Sequence, residues 1–208
     1  MYNTEHMNLK ETYNRIAEDW HRDHQKDDWW VEGTDAFIAL LGAGKSVLDV
    51  GCGAGVKSHY LASKGCQVTG IDLSESMIAI AKREVSEADF RVLDMREVGV
   101  LEDLYDGVFA QASLLHIPKA EAPDVIKALA AKLKPHGAIY IAVKEQRANN
   151  PSEEVVTEND YGYEYSRFFS YYTLEEIESY CREAGLTPVQ NALPQGAAKW
   201  VQVIARKS

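Results

Sequence analysis

The chain has 208 residues, of which 46% are hydrophobic and 26% are charged, and its formal net charge is −10. This length and composition are typical of a globular protein with one core, so we expect a single domain over 1–208. The negative charge makes nucleic acid an unlikely partner, because it opposes attraction to phosphates. The three cysteines show no paired spacing, so neither a disulfide framework nor a metal site is predicted.

The first 26 residues are polar and charged, and no later apolar segment reaches the length of a membrane span. This pattern predicts a cytoplasmic protein that makes no contact with membranes. The sequence leaves open whether the chain acts as a monomer or as a homodimer.

Two helices are predicted ahead of the first strand. Apolar residues three and four positions apart indicate a helix over 9–24. A second helix is predicted from Thr34, as its N-cap, through Phe37 and Leu41 to a glycine break at 42–44. We expect residues 1–33 to form a helical cap at the N-terminus.

Strands and helices then alternate along the chain. The predicted strands are 46–50, 66–71, 90–93, 108–112 and 138–143. The predicted helices are 56–64, 74–84 and 118–133, and Ser74 is expected to cap the second of them. This alternation indicates an α/β fold with a parallel sheet that helices cover on both faces.

The last part of the chain departs from this alternation. A helix over 173–184 is followed by strands over 186–192 and 200–205, which are joined by a loop that contains Pro194 and Gly196. Two strands joined in this way are antiparallel neighbours. The predicted sheet is therefore mostly parallel, with one reversed strand near an edge.

The connection over 145–172 is unusually long and rich in aromatic residues. Its rings are Tyr161, Tyr163, Tyr165, Phe168, Phe169, Tyr171 and Tyr172. Connections of this length often form a lid or a binding loop, and we expect an insertion on the substrate side. The alternative is an extra helix that packs its rings against the edge of the sheet.

The turn after the first predicted strand carries the strongest functional signal. Gly51, Gly53 and Gly55 stand at alternate positions, and Asp49 lies in the strand itself. Glycines at the carboxyl end of a parallel strand let a ligand approach the backbone closely. Dinucleotide folds use a Gly-x-Gly-x-x-Gly spacing, which this turn lacks, and an acid beside the turn would repel a pyrophosphate. The pattern favours an adenosine that bears an amine or a sulfonium.

Two further acids follow the next two predicted strands. Asp72 ends the second strand, and Asp94 follows the third. A carboxylate at these positions can accept hydrogen bonds from ribose hydroxyls or from an adenine amino group. Either acid could instead cap a helix or remain solvated.

Five segments together resemble the class I S-adenosylmethionine-dependent methyltransferases of the small-molecule type. In chain order they are 47–55, 68–74, 90–95, 106–118 and 133–143. The resemblance implies a Rossmann-like three-layer sandwich with a seven-stranded, mostly parallel sheet and one antiparallel strand. It also implies S-adenosyl-L-methionine as the cofactor. One departure is Pro135-His136-Gly137, where the family often has Pro-Gly-Gly, at a turn remote from the site.

The resemblance also implies a set of cofactor-binding residues. Those expected around the methionine part of the donor are Asp49, Gly51, Gly53, Gly55, Gln111, Ala112 and Leu115. Those expected around the ribose and the adenine are Asp72, Leu73, Met77, Asp94 and Met95. Tyr13 and Trp20 resemble aromatic residues that close over the donor in small-molecule members. Tyr13 and Met77 are equally compatible with ordinary core positions.

His116 is the candidate catalytic residue. It follows the fourth predicted strand, where it would face the mouth of the cleft, and a neutral imidazole is a suitable base near pH 7. Methyl transfer from a sulfonium is an in-line displacement that needs a base only for a hydroxyl or a protonated amine. The alternative is that His116 caps or packs against the next helix.

The leading hypothesis is therefore a methyltransferase that acts on an O or N atom of a small-molecule acceptor. A tRNA-modifying methyltransferase is one alternative, which the net charge disfavours. A protein that binds S-adenosylmethionine without transferring its methyl group is another. An NAD-dependent oxidoreductase would conflict with the glycine spacing.

Overall fold

The computed structural model describes residues 8–41, 45–192 and 200–208. The helices are α1 (Leu9–His24), α2 (Val31–Leu41), α3 (Val56–Ser63), α4 (Glu75–Glu84), α5 (Ala122–Ala131) and α6 (Leu174–Glu183). The first strands are β1 (Ser46–Val50), β2 (Gln67–Asp72), β3 (Asp89–Val92), β4 (Tyr105–Gln111) and β5 (Leu133–Lys144). The later strands are β6 (Glu153–Glu158), β7 (Tyr165–Ser170), β8 (Leu186–Ala192) and β9 (Trp200–Lys207).

Seven of these strands form the main sheet, in the order β3-β2-β1-β4-β5-β9-β8. Every neighbouring pair from β3 to β5 is parallel, whereas β9 runs antiparallel to both β5 and β8. The predicted Rossmann-like sheet with one antiparallel strand is confirmed. Pro194 and Gly196, predicted in the loop between β8 and β9, lie outside the described residues.

The central strands supply two separate cores, one on each face of the sheet. In β1, Leu48 packs into the cluster that includes α5 and α6, whereas Val47 packs into the cluster that includes α2 and α3. In β5, Ile141 packs into the first of these clusters and Tyr140 into the second. Successive side chains of a strand point to opposite faces, so both kinds of position must be apolar.

The predicted starts of α4 and α6 are confirmed. Ser74 caps α4 by accepting a hydrogen bond from the backbone N–H of Met77 at 3.1 Å. Thr173 caps α6 in a reciprocal arrangement with Glu176. These side chains satisfy backbone donors that a helix leaves without an internal partner.

The predicted N-cap of α2 at Thr34 is wrong. The helix begins at Val31, and Thr34 is buried inside it. Its hydroxyl donates to the carbonyl oxygen of Trp30 at 2.8 Å, a bond to the preceding turn that threonine makes within helices. The predicted glycine break at 42–44 lies outside the described residues.

Strand β5 is longer than predicted. The expected turn at 134–137 lies inside it, at an irregularity where the pairing with β4 passes from Tyr105 and Leu133 to Gly107 and Ala138. His136 has a φ of 62° there. The turn-forming residues therefore produce a local bulge rather than the end of an element.

The segment over 145–172 contains a two-stranded antiparallel sheet of β6 and β7, so the alternative of an extra helix is wrong. This hairpin packs against α1. The Thr12 hydroxyl donates to the Ser166 carbonyl oxygen at 3.1 Å, and the Tyr163 hydroxyl donates to Asp19 at 2.9 Å. β-branched and aromatic residues suit a pleated strand, which accounts for the hairpin.

We predict that Ile141→Ala lowers the free energy of unfolding by about 2–5 kcal/mol, because it removes buried methyl groups and leaves a cavity. Ile141 has no exposed surface, whereas Val100 is 69% exposed. Val100→Ala is the matched control and should change stability by less than about 0.5 kcal/mol. Urea denaturation followed by circular dichroism measures both, and equal losses in the two variants would contradict the assignment of the core.

Candidate active site

Two adjoining cavities lie at the carboxyl edge of the parallel strands. The glycine-turn cavity, about 1020 Å³, borders Gly51, Gly53 and Asp72. The hairpin cavity, about 1070 Å³, borders Arg167 and Phe169 of β7. The residues that line both are Tyr13, Trp20, His24, Lys57, Ala112 and His116. The two cavities therefore adjoin along these six residues, which form their shared wall.

The structure brings most of the predicted site residues together. Those that line the glycine-turn cavity are Tyr13, Trp20, Gly51, Gly53, Asp72, Leu73, Met77, Asp94, Met95, Gln111, Ala112 and His116. Leu115 lines only the hairpin cavity. Asp49 and Gly55 line neither cavity.

Asp49 lies beneath the glycine turn, within β1. It is 2% exposed, and its carboxylate accepts a hydrogen bond from the hydroxyl of Ser58 at 2.6 Å. Burial raises the pKa of Asp49 to about 6, while the Ser58 hydrogen bond and the charge of Lys57 lower it. The carboxylate thus fixes the start of α3 against β1. Because Asp49 borders neither cavity, it can act on a ligand only through its charge.

The glycine turn has a backbone that other residues adopt only with strain. Gly51 has a φ of 70° and Gly53 a φ of 54°. The N–H groups of Gly51 and Cys52 both donate to the Ile71 carbonyl oxygen, at 2.8 and 3.0 Å, which ties the turn to β2. A Cβ on Gly51 would lie 2.3 Å from the Ser113 Cβ, whereas a Cβ on Gly53 would enter open space. The turn therefore leaves room for a ligand beside Gly53.

Asp72 connects this turn to the next helix. Its carboxylate accepts hydrogen bonds from the backbone N–H of Gly53 at 3.0 Å and of Ser74 at 2.9 Å. Burial raises the pKa of Asp72 to about 6, although both of these hydrogen bonds lower it. A carboxylate offers about four acceptor positions, so further positions remain for hydroxyl groups in the cavity.

Asp94 caps a short 3-10 helix over Met95–Val100. Its carboxylate accepts a hydrogen bond from the backbone N–H of Arg96 at 2.9 Å and forms an ion pair with the Arg96 side chain at 2.6 Å. The structure therefore shows the capping role that the sequence left open. Asp94 also borders the cavity, so the predicted contact with adenine stays a prediction.

Three polar atoms of the cavity wall have no hydrogen-bond partner among the described residues. They are Nε2 and Oε1 of Gln111 and Oγ of Ser113, and all three are buried. Ala112 between them has a φ of 55°, a strained conformation for alanine. Buried polar groups are normally paired, so these atoms fit a ligand that carries polar groups of its own. An amino acid bearing an adenosine, such as S-adenosylmethionine, meets this requirement.

Several residues of the two cavities were missed from the sequence: Lys57, Ser113, Lys144 and Arg167. Lys57 lies in the first turn of α3 and borders both cavities. Burial lowers its pKa, while Asp49 and Asp27 raise it. The available signal was its position two residues after the last glycine, next to the carboxyl edge.

His116 joins three elements through hydrogen bonds. Its Nδ1 lies 2.7 Å from the Phe168 carbonyl oxygen, and its Nε2 lies 2.7 Å from the Tyr13 hydroxyl. Because a carbonyl oxygen only accepts, Nδ1 carries the proton, and Nε2 accepts from Tyr13. Desolvation lowers the pKa of His116 to about 3, so the ring is neutral near pH 7. Burial also raises the pKa of Tyr13, which keeps its hydroxyl protonated.

The sequence profile of a family described as "Methyltransferase domain" matches residues 18–191. The chain is 31% identical over 173 residues to a ubiquinone biosynthesis O-methyltransferase of Bordetella bronchiseptica, an alignment covering 76% of this chain and 67% of that protein. It is 39% identical over 119 residues to the corresponding protein of Dechloromonas aromatica, covering 54% and 49% of the two chains. The chain thus spans about half to two thirds of these relatives.

A similar fold occurs in 1,6-didemethyltoxoflavin-N1-methyltransferase of Burkholderia thailandensis, which was solved with its substrate and S-adenosylhomocysteine. The TM-score is 0.75 at 21% sequence identity, and the match covers 96% of this chain and 87% of the other. Together with the family match, this defines the class of the protein. The chain belongs to the S-adenosylmethionine-dependent methyltransferases, and the predicted family, enzyme class and cofactor are confirmed.

The described part of the chain contains neither a candidate membrane span nor a candidate metal site. Within it, no helix combines the length and the apolarity needed to cross a membrane. Over the same residues, His, Cys, Asp and Glu side chains form no group of three or more that could hold a metal ion.

We predict that Gly51→Ala lowers the affinity for S-adenosylhomocysteine by at least about tenfold, because its new Cβ displaces Ser113. Gly65→Ala is the matched control. Gly65 also has a positive φ, 87°, but a Cβ there would meet nothing within 4 Å. Both variants lose stability through strain, so calorimetric titration must be made below both unfolding temperatures. Equal affinities would show that the Gly51–Ser113 contact does not shape the ligand site.

We predict that His116 keeps its Nδ1–H tautomer and stays neutral down to about pH 4, because desolvation lowers its pKa to about 3. The unfolded chain binds the proton near 6.5, so the contribution of His116 to stability is complete above about 6.5 and is lost as the pH falls towards 3. Titration by ¹⁵N NMR, with His116→Asn to assign the signal, measures this. A signal that titrates near 6.5 would contradict the buried arrangement.

Proposed function

We propose that this enzyme transfers a methyl group from S-adenosylmethionine in the glycine-turn cavity to an O or N atom of a small molecule in the hairpin cavity. The observation that carries the proposal is the shared wall, where Tyr13 and His116 border both cavities. Transfer requires two ligands in contact, and this wall is where they meet. Orientation of reacting groups supplies roughly 7–11 kcal/mol in favourable cases.

The chain's own groups account for the binding of the donor. Gln111 and Ser113 offer unpaired polar atoms to the amino-acid part, and Lys57 offers a positive charge to its carboxylate. Asp72 would accept hydrogen bonds from the ribose hydroxyls, and Met77 would pack against the adenine. These assignments rest on the cavity lining and on the free acceptor positions of Asp72.

A small-molecule acceptor is supported by the lining of the hairpin cavity and by the names of the relatives. Its walls include aromatic rings from three different parts of the chain, Trp29, Tyr165 and Trp200. The names of the relatives specify an O-methyltransferase of ubiquinone biosynthesis and an N1-methyltransferase of a toxoflavin precursor. The net charge of −10 favours such acceptors over tRNA.

For a hydroxyl acceptor, the mechanism needs a displacement and a relay of two proton transfers. Bound S-adenosylmethionine supplies a methyl group on a positively charged sulfur, and the acceptor's lone pair forms the new bond to carbon as the carbon–sulfur bond breaks. The Tyr13 oxygen takes the acceptor's proton while its own proton moves to Nε2 of His116, 2.7 Å away. A methylated hydroxyl that still holds its proton is an oxonium ion and a strong acid, so a weakly basic imidazole suffices for an oxygen acceptor. A methylated amine can keep its proton as an ammonium ion and needs no base after the transfer.

The N-terminal cap was predicted over 1–33, of which 1–7 lie outside the described residues. Its described part, 8–33, and the insertion, 145–172, would exclude water from this reaction. Helix α1 and the hairpin are linked by the Thr12–Ser166 and Tyr163–Asp19 hydrogen bonds. Arg15 adds a hydrogen bond to the Glu164 carbonyl oxygen at 3.1 Å. A closed, dry site strengthens the electrostatic interactions within it.

We also propose a cytoplasmic location. The three cysteines, Cys52, Cys66 and Cys181, are all free and buried. Free thiols in this number are typical of proteins in a reducing compartment.

We predict that His116→Asn lowers kcat by about 10² to 10⁴ while the affinity for S-adenosylhomocysteine stays within about twofold. The asparagine amide can replace the Nδ1 donor to Phe168, but its acceptor oxygen is attached to Cγ and does not reach the position where Nε2 accepts from Tyr13. The first step is a screen of small hydroxyl and amine acceptors with labelled donor, followed by mass spectrometry of the products.

His136→Asn is the control for this prediction, because His136 is exposed and asparagine tolerates its φ of 62°. An unchanged kcat in His116→Asn would reduce His116 to a packing role. Binding of S-adenosylhomocysteine without methylation of any acceptor class would favour the non-catalytic alternative. Methylation confined to tRNA would overturn the choice of a small molecule.

A further inference from the structure

The hairpin cavity contains a positive charge that the protein does not neutralise. Lys144 ends β5 and lines this cavity but not the glycine-turn cavity. Its Nζ lies 3.8 Å from the centre of the Phe169 ring. No carboxylate among the described residues lies within ion-pair distance of it. Fully buried lysines are almost always paired, and Lys144 is half-buried without such a partner.

The nearby acids are engaged elsewhere or lie at the exposed rim. Glu158 binds Arg167 through two hydrogen bonds of 2.7 and 2.6 Å. Glu154 accepts a hydrogen bond from Tyr171 at 2.7 Å. Asp160 and Glu32 are exposed, whereas Lys144 is half-buried. Asp27 also lines the cavity and is partly buried, but its charge acts on Lys57, whose pKa it raises. Lys144 is therefore left without a carboxylate partner of its own.

The position of this charge relates it to the transfer site. Phe169 packs against both Lys144 and His116, and the His116 and Phe169 ring centres are 5.0 Å apart. One phenyl ring thus separates the cation from the proposed proton acceptor. A single small molecule can reach both.

The other walls are flat aromatic surfaces. Tyr161 and Tyr165 stack with their ring centres 5.4 Å apart, and Trp29 stacks on Trp200 at 4.3 Å. All four residues border the hairpin cavity. Such walls favour a planar ligand, since aromatic pairs gain from stacking.

We propose that the acceptor is a small planar acid, whose carboxylate pairs with Lys144 while its nucleophilic atom lies beside Tyr13 and His116. This inference rests on the proposed function, because it names the class of substrate for the same site. Lys57 borders the glycine-turn cavity and can serve the donor's own carboxylate, so Lys144 remains for the acceptor.

The test measures the affinity of the full chain, saturated with S-adenosylhomocysteine, for four acids. They are 2-, 3- and 4-hydroxybenzoate and 3,4-dihydroxybenzoate. Each acid is compared with its primary amide, which has the same shape and no charge. We expect at least one acid to bind about tenfold to hundredfold more tightly than its amide, the range for a charge-assisted hydrogen bond. The preference should vanish in Lys144→Met and persist in Lys144→Arg.

Lys82→Met removes an equal charge from the exposed surface of α4 and should keep the preference. Equal binding of acids and amides to the wild-type chain, or no binding of either, overturns the inference whether or not the variants fold. A preference that survives in Lys144→Met also overturns it. If S-adenosylhomocysteine itself does not bind, the proposed function fails as well, so the two failures are distinguishable.

Discussion

The site depends first on the hydrogen bonds that the Asp72 carboxylate accepts from Gly53 and Ser74. These two bonds join the turn after β1, the end of β2 and the start of α4. Since β1 and β2 are parallel neighbours, their carboxyl ends meet at the same edge, and one side chain can hold both. The glycines reach their positive φ without strain, and these contacts hold the turn in that one shape. The same burial that makes the bonds effective raises the pKa of Asp72 to about 6.

A second set of contacts closes the site from the other side. Through its two ring nitrogens His116 contacts Phe168 of β7 and Tyr13 of α1, elements that lie far apart in the chain. Near it, Trp20 belongs to the wall that both cavities share, whereas Phe169 lines the hairpin cavity alone. The guanidinium of Arg167 stacks on both rings, at 4.8 and 5.1 Å. The two cavities are therefore built largely by different parts of the chain, and His116 borders both. This division is consistent with an enzyme family in which the donor is constant and the acceptor varies.

Local features of the sequence predicted the parts that local chemistry controls. The positions of Gly51 and Asp72 followed from their places after two apolar strands, and the cap at Ser74 followed from helix-start chemistry. Thr34 was misplaced because a buried hydroxyl that bonds to the preceding turn leaves no pattern in the sequence. The insertion was ambiguous because a short aromatic run fits a helix or a strand equally well. The structure pairs β6 with β7, so this part of the insertion is a hairpin and not a helix.

The sequence by itself determined the fold class, the glycine turn and the family of the donor, because each is encoded within a few consecutive residues or in the alternation of strands and helices. Only the tertiary structure showed the hairpin cavity and the residues that line it. Lys144, Phe169 and Trp200 lie on β5, β7 and β9, and nothing in their local sequence brings them together. The physical reason is that a strand's register and a hairpin's docking depend on packing across the whole sheet. The cavity that holds Lys144 beside Phe169 therefore exists only once the chain has folded.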